Sequence, residues 1–129
     1  MDVFDHCFIQ VYHEHTTEYD VWIAAISILH SRVDTLFELT RHSYPSVRLH
    51  ASLLVRFLIL HLPVNESIEL QNMARGNGCL VWQLILAIEH RHDISKPMDE
   101  LQILSRNLVA LFCLNNTESK ELLTRIFPV

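Results

Sequence analysis

The chain has 129 residues, a size that fits one domain with a sizeable core, and half of its residues are hydrophobic while 19% are charged. This balance excludes an intrinsically disordered chain, and two glycines and four prolines are too few for the tight turns of an all-β domain. The formal net charge is −5 and the ten Lys and Arg are dispersed, so we expect neither nucleic acid nor an anionic membrane surface as a partner.

Apolar residues at helical spacing predict the helices of the first third of the chain. A first helix is expected over residues 2–13. Thr17 and Asp20 have the form of a capping box and predict the start of a second helix. That helix carries one apolar stripe: Trp22, Ile26 and Leu29. Because Ser31 and Asp34 repeat the capping signal, one kinked helix and two short helices fit equally well.

Pro45 marks a break before the next helices. The residue before a proline avoids the α region and proline itself suits the first turn, so a helix is expected to begin at Pro45 and to continue through residues 46–62. Asn65 is expected to cap the following helix. That helix is predicted to end near Arg75, with Gly76 as its C-cap.

The second half continues the helical pattern. Residues 79–88 contain one polar residue in ten and predict a buried helix. A polar link over residues 89–96 leads to Pro97 and to a helix with four leucines on one face: Leu101, Leu104, Leu108 and Leu111. Asn116 is expected to start a final helix that carries Leu122, Leu123 and Ile126, before Pro128 and Val129. The total is seven or eight helices without strands, which fits a compact bundle or a stack of helical hairpins.

Residues 46–62, SVRLHASLLVRFLILHL, raise the question of a membrane span. A spanning helix needs about 20 mostly apolar residues, whereas the apolar part here is shorter and contains His50, Arg56 and His61. An arginine near the bilayer centre costs about 3 kcal/mol. We therefore predict no transmembrane segment, and the absence of a charged and then hydrophobic leader predicts a cytosolic chain without a signal peptide.

The same segment predicts a helix that is covered on two sides. Arg48, Ser52 and Arg56 recur every four residues and form a narrow polar seam. One apolar flank of the seam consists of Val47, Ala51, Leu54, Val55, Leu58 and Leu62, and the other of Leu49, Leu53, Phe57 and Leu60. Stacked helical repeats supply such burial, and Pro45-x-Val47-Arg48-x-x-Ala51 resembles the start of the second helix of HEAT and armadillo-type repeats. We predict one all-α, armadillo/HEAT-like solenoid segment over residues 1–129.

Three stretches resemble one protein family. Residues 73–80 (MARGNGCL) resemble its LALSEGAL step, residues 105–112 (SRNLVALF) its SRxLVxLW step and residues 122–128 (LLTRIFP) its LLxRILP step. Upstream, Leu36-Phe37 with Arg41-His42 is similar to its LFxLxxHPS step. The family is that of the large endosomal J-domain proteins of the receptor-mediated endocytosis type, DnaJ homolog subfamily C member thirteen and its plant counterparts.

This resemblance implies a fold, a function and a location. Members of the family are very long chains with armadillo-like helical blocks, and they act at the cytosolic face of early endosomes in endocytosis, endosome organisation and membrane trafficking. Their central J domain recruits the Hsp70 chaperone through a His-Pro-Asp triplet, which this chain lacks. We therefore expect a non-catalytic, protein-binding segment of a longer co-chaperone. Hsp70 and the peripheral endosomal membrane would be engaged only by other parts of the parent chain.

No residue of the sequence is assigned a catalytic, cofactor-binding or metal-binding role. Nine histidines are densest in His13-Glu14-His15 and His90-Arg91-His92, but side chains two apart on a helix diverge, and neither HExxH nor CxxC occurs. The reduced thiols of Cys7, Cys79 and Cys113 lie in apolar runs and are expected in the core, as are three aromatic residues: Trp22, Trp82 and Phe112. Ser105 and Ser119 lack a GxSxG context.

The sequence leaves several alternatives open. The arginine pairs Arg48 with Arg56 and Arg106 with Arg125 could line a binding face or simply be solvated charges. The chain could also be a generic HEAT/armadillo-type scaffold without an endosomal role, or a small helical metal- or thiol-dependent enzyme. A solenoid segment without polar caps is further expected to expose apolar end faces and to self-associate.

Overall fold

The computed structural model describes residues 18–89 and 99–126. These residues form seven helices and no strand, which confirms the all-α prediction for the described part of the chain. The predicted helix at residues 2–13, the Thr17 cap, most of the 89–96 link, Pro97 and the last three residues lie outside this part. The helices are α1 Glu18–Ser31, α2 Val33–Leu39, α3 Pro45–His61, α4 Val64–Gly76, α5 Cys79–Ile88, α6 Glu100–Cys113 and α7 Thr117–Ile126.

The chain divides into two compact units, Met1–Arg32 and Val33–Val129. The first unit contains α1, in which Val21 is buried and the predicted stripe of Trp22, Ile26 and Leu29 is half-buried. Two short helices form instead of one kinked helix. The capping signal predicted that Ser31 caps the next helix. Instead, the Ser31 hydroxyl donates to the Ile28 carbonyl oxygen at 2.6 Å, at the end of α1.

In the second unit, the predicted start of α3 is confirmed and that of α4 is wrong. Tyr44 is extended and Pro45 is the first residue of α3. The helix α4 begins at Val64, so Asn65 lies inside its first turn and does not cap it. Pro63 takes the cap position instead. Its φ is fixed by the ring and its ψ of 153° is extended, as a residue just before a helix requires. Its carbonyl oxygen accepts the first helical hydrogen bond, from the Ser67 N–H at 2.9 Å.

The turn between α4 and α5 also differs from the prediction. Gly76 is the last helical residue of α4 and not a left-handed C-cap. The left-handed residue is Gly78, with φ of 83°, directly before α5. Between the two glycines, the Asn77 side-chain oxygen accepts from the Cys79 N–H at 2.9 Å and so satisfies a free amide at the start of α5.

Side-chain caps begin the last two helices. The Asp99 carboxylate accepts from the Gln102 N–H at 2.8 Å and begins α6. The Asn116 side-chain oxygen accepts from the Ser119 N–H at 3.0 Å, so the prediction that the final helix starts at Asn116 is confirmed. Each such cap stabilises a helix by about 1 kcal/mol because it satisfies an amide that has no partner within the helix.

The core of the second unit is organised around α6. This helix packs on α3, α4, α5 and α7, while α3 packs on α2 and α4, and α4 packs on α5 and α7. The rings of Phe37 and Phe112 lie 6.4 Å apart, centroid to centroid, between α2 and α6. The largest apolar side chains without solvent exposure come from four helices: Val55, Leu58, Leu70, Leu80, Leu108 and Phe112. Burial of each contributes roughly 1.5–3 kcal/mol.

The helix α3 is covered less evenly than its two apolar flanks predicted. Ser52, in the centre of the predicted polar seam, is fully buried, whereas Arg48 and Arg56 are half-buried. On the flank that begins at Val47, most side chains are buried, but Leu54 is 36% exposed. On the other flank Leu60 is 56% exposed. The seam is therefore open to solvent only at its two ends, because a small serine side chain fits inside the core and an arginine side chain does not.

Candidate functional site

Cys79 is a buried thiol beside a basic residue. Its side chain is 1% exposed at the start of α5, and the Thr40 hydroxyl lies 3.7 Å from its sulfur atom. Burial raises the pKa of the Cys79 thiol, and the hydrogen bond with Thr40 and the positive charge of Arg41 offset only part of that effect. Burial raises the pKa of the Cys113 thiol as well. Both thiols are in the core, as predicted, and are held in the protonated form that does not attack electrophiles.

The surroundings of Cys79 form a joint between α2 and α5. The Trp82 indole N–H donates to the Thr40 carbonyl oxygen at 2.9 Å, and the Thr40 hydroxyl donates to the Phe37 carbonyl oxygen at 2.6 Å. The Arg41 guanidinium donates to the Asn77 carbonyl oxygen at 2.8 Å. These bonds satisfy carbonyl groups at the end of α2 and in the turn before α5. The polar atoms therefore fix two helix ends against each other.

A second polar cluster joins α4 to the turn between α6 and α7. The Gln71 amide nitrogen donates to the carbonyl oxygens of Leu111 and Leu114 at 2.8 and 2.9 Å. The Asn116 amide nitrogen donates to the side-chain oxygen of Gln71 at 3.1 Å. Arg75 donates to the side-chain oxygen of Asn116 at 3.2 Å. Gln71 and Asn116 are buried, and this cluster satisfies both side-chain amides.

The cluster continues to the surface through an ion pair. Arg75 also donates to the Ser119 hydroxyl at 3.2 Å and lies 3.0 Å from the Glu118 carboxylate. The Glu118 side chain is largely exposed, so this pair contributes little to stability. Ser119, one of the two serines considered as nucleophiles in the sequence, is thus a hydrogen-bond partner inside a structural cluster.

A third cluster covers the end of α5. Gln102 donates to the carbonyl oxygens of Ala87 and Glu89 at 3.4 and 3.2 Å, and the Arg106 guanidinium donates to that of Ala87 at 3.1 Å. Arg106 therefore binds a helix end, and so does Arg48, which donates to the carbonyl oxygens after α2. The other members of the two arginine pairs differ in exposure: Arg56 is half-buried and Arg125 is exposed.

The described residues contain no group of three or more His, Cys, Asp or Glu side chains placed to hold a metal ion. The two densest histidine groups of the sequence, His13-Glu14-His15 and His90-Arg91-His92, lie outside residues 18–89 and 99–126. Within the described part, the Nδ1 atom of His42 accepts from the Tyr44 N–H at 3.1 Å. This ring shapes the turn before α3.

The open surface between α3 and α6 is the candidate binding surface. A cleft of about 500 Å³ is lined by Arg48 and Leu49 of α3, by Leu86 of α5 and by acidic residues that include Glu89 and Glu100. A groove of about 290 Å³ continues along α3 and α6. The cleft combines apolar walls with charges of both signs, a composition that suits a protein partner better than a polyanion.

Comparison with known proteins identifies no relative: no family model, no curated protein and no solved structure matches this chain. Among the helices of residues 18–89 and 99–126, none is long and apolar enough to cross a membrane. The resemblance to the endosomal J-domain proteins therefore stays an expectation from the three sequence stretches.

The sequence patterns did not predict most of the side-chain hydrogen bonds that connect one helix to another. Asn116 was predicted as a cap, but its second role, as a donor to Gln71, depends on a residue 45 positions away. Gln71 and Gln102 carried no signal at all, because a single glutamine in a helix is equally compatible with an exposed and a buried position. Only the packing of α4 and α5 on α6 brings these side chains to the helix ends that they cap.

Proposed function

We propose that this chain is a non-catalytic protein-interaction scaffold built from helical repeats. The observation that carries the proposal is the order of packing in the second unit, where α3 packs on α6 and α4 packs on α7. The end of α2 is likewise bonded to α5, through Thr40 and Trp82. Helices three apart along the chain are thus neighbours, as they are in a stack of three-helix repeats, where each element contacts its equivalent in the next repeat. The two triplets are α2–α4 and α5–α7.

The burial pattern supports the same repeat. A shift of 53 positions relates buried residues of α3 to buried residues of α6. The pairs are Ala51 with Leu104, Ser52 with Ser105, Val55 with Leu108 and Ile59 with Phe112. The same shift relates the positions before α4 and α7, Pro63 and Asn116. Two helices with matched buried positions have matched packing surfaces, which a repeat requires and an irregular bundle does not.

We further propose that the scaffold belongs to an endosomal co-chaperone of the large J-domain type, acting in endocytosis and membrane trafficking. Two of the three resembling stretches supply joints between helices. Gly78, which matches the glycine of the first stretch, is the left-handed residue in the turn between α4 and α5. Arg106, in the second, bonds to the end of α5. Residues that join successive helices are the ones a repeat scaffold must keep, which supports a structural origin for the resemblance.

Proximity labelling in cells tests the endosomal part of the proposal. The chain is fused to a promiscuous biotin ligase, and labelled proteins are compared with those labelled by the ligase fused to an unrelated helical domain. Enrichment of early-endosomal proteins is expected. Enrichment of other cytosolic proteins alone would favour a generic HEAT/armadillo-type scaffold and overturn the endosomal role.

Metal analysis of the purified chain tests the non-catalytic part. We expect no stoichiometric ion after purification without added metal. A bound ion in a one-to-one ratio, together with loss of helicity on chelation, would contradict the scaffold proposal and favour the metal-dependent alternative.

A further inference from the structure

The turn between α4 and α5 contains an Asn-Gly pair. Asn77 is exposed and precedes Gly78, and no other asparagine of the sequence is followed by glycine. Such an asparagine is prone to lose its side-chain amide, because glycine leaves the neighbouring backbone nitrogen unhindered and the backbone free to rotate. We propose that Asn77 is a site of spontaneous deamidation, and that the native turn suppresses the reaction until the turn opens.

The reaction is a cyclisation followed by hydrolysis. The Gly78 backbone nitrogen gives up its proton to a base and bonds to the side-chain carbonyl carbon of Asn77, and ammonia leaves, carrying the proton that the nitrogen lost. Water then opens the resulting cyclic imide on either side. Opening at the side-chain carbonyl leaves an aspartate. Opening at the backbone carbonyl leaves an isoaspartate, in which the main chain runs through the former side chain.

The native backbone keeps the two reacting atoms apart. Asn77 has ψ of 3°, so the Gly78 nitrogen lies on the side of the Asn77 backbone nitrogen and not on the side of Cβ, from which the ring must close. Closure therefore requires rotation about the Cα–C bond of Asn77. That rotation would displace the Asn77 carbonyl oxygen, which accepts from the Arg41 guanidinium at 2.8 Å.

The rest of Asn77 is held as well. Its side-chain oxygen accepts from the Cys79 N–H at 2.9 Å, and its backbone N–H donates to the Met73 carbonyl oxygen at 2.8 Å. With the bond from Arg41, three hydrogen bonds fix this residue. Deamidation of the folded chain therefore proceeds from conformations in which the turn has opened locally, and its rate is set by the fraction of molecules that are open.

The two products have opposite consequences for the turn. Aspartate keeps an oxygen for the Cys79 N–H and adds a negative charge at the start of α5, where the helix dipole favours an anion. Isoaspartate lengthens the main chain before Gly78 by a methylene group and removes the backbone carbonyl that Arg41 binds. Aspartate is therefore expected to preserve the stability of the chain, and isoaspartate to lower it.

The first experiment compares deamidation rates in the folded and the unfolded chain. Peptide mapping by mass spectrometry follows the conversion of Asn77 at mildly alkaline pH, without and with urea. In urea, Asn77 is expected to react faster than Asn65, which is followed by a glutamate. Without urea, the Asn77 rate is expected to be lower by about tenfold or more, because the turn must open first. Equal rates without and with urea, or a rate in urea no higher than that of Asn65, would overturn the inference.

A second measurement tests whether Arg41 holds the turn closed. Arg41→Ala removes the hydrogen bond to the Asn77 carbonyl oxygen and is expected to raise the deamidation rate of the folded chain by about two- to fivefold. Arg125→Ala is the matched control, because Arg125 is an exposed arginine of α7 that lies outside the turn. Equal rates in the two variants would contradict the protecting role of the turn.

A third measurement compares the two products. Chromatography separates the aspartate and isoaspartate forms, and urea unfolding measures the stability of each. We expect the aspartate form to match the Asn77→Asp variant, and the isoaspartate form to unfold at a lower urea concentration than the unaltered chain. An isoaspartate form as stable as the unaltered chain would show that the geometry of this turn is not required, and would overturn the inference.

Discussion

The turn between α4 and α5 offers the sharpest test of the structure, because its two glycines have opposite requirements. Gly78 has φ of 83°, and a Cβ atom there would lie 2.7 Å from the Nη2 atom of Arg41. Gly76 is the last residue of α4, and a Cβ atom there would meet nothing within 4 Å. Replacing each glycine by alanine therefore adds the same methyl group in two different settings.

The expected cost of Gly78→Ala has two parts. A left-handed backbone costs a residue other than glycine about 1–2 kcal/mol. The Arg41 side chain must also move, which removes its 2.8 Å hydrogen bond to the Asn77 carbonyl oxygen. Arg41 is exposed, so this loss is worth about 0.5–1 kcal/mol. Gly78→Ala is expected to lower the free energy of unfolding by about 1.5–3 kcal/mol.

Gly76→Ala is expected to act in the opposite direction. Alanine in a helix is favoured over glycine by about 0.5–1 kcal/mol, because the unfolded chain loses less conformational freedom. The two variants should differ by about 3 kcal/mol, or roughly a hundredfold in the unfolding equilibrium constant. Urea unfolding followed by circular dichroism measures both. Equal stability of the two variants would refute the left-handed turn and the position of Arg41.

The remaining predictions concern the polar cluster, the buried thiol and the core face of α3. Asn116→Ala should lower the free energy of unfolding by about 2–4 kcal/mol, because it removes a cap and leaves the Gln71 amide oxygen buried without its donor. Asn116→Ser keeps a capping oxygen and loses only the donor to Gln71, so it should cost less in the same urea assay. Cys79 should react with iodoacetamide far more slowly in the folded chain than in urea, as peptide mapping by mass spectrometry would show. Burial raises the pKa of the folded Cys79 thiol above its ordinary value of 9.0. The stability that this thiol contributes is therefore present below pH 9.0 and is lost as the pH rises through the folded pKa. Cys79→Ala should remove this pH-dependent loss. Leu58→Ala should destabilise by about 2–5 kcal/mol and Leu60→Ala by less than about 0.5 kcal/mol, since only Leu58 is fully buried.

The sequence predicted the helices better than their ends. Apolar periodicity gave residues 79–88 as a helix with the bounds that the structure has. It failed at Asn65 and Gly76, because the choice of cap depends on backbone angles that residue type only biases. Pro63 competed with Asn65 for the cap of α4, and Gly78 took the left-handed conformation that was assigned to Gly76.

The candidate surface was harder to predict than the helices. The two apolar flanks of α3 indicated which residues avoid water, but not which helix covers them. Leu53 and Leu54 are adjacent in the chain, but Leu53 lines a groove shared with α6, whereas Leu54 lines a groove shared with α2. That distinction arises from the order in which α2, α3 and α6 pack, which is long-range information that periodicity within one helix does not contain.

The buried serines bear on the proposed repeat of two helical triplets. Ser52 and Ser105 are fully buried, and neither hydroxyl has a hydrogen-bond partner within the described residues. An unpaired buried hydroxyl costs about 1–3 kcal/mol, so hydrogen bonding does not explain a serine at either position. A small side chain does, because interiors are close-packed and a larger residue would displace its neighbours. A small buried residue is therefore required at two positions 53 residues apart, in α3 near Val55 and in α6 near Leu108. A repeat with equivalent packing of α3 and α6 would require this.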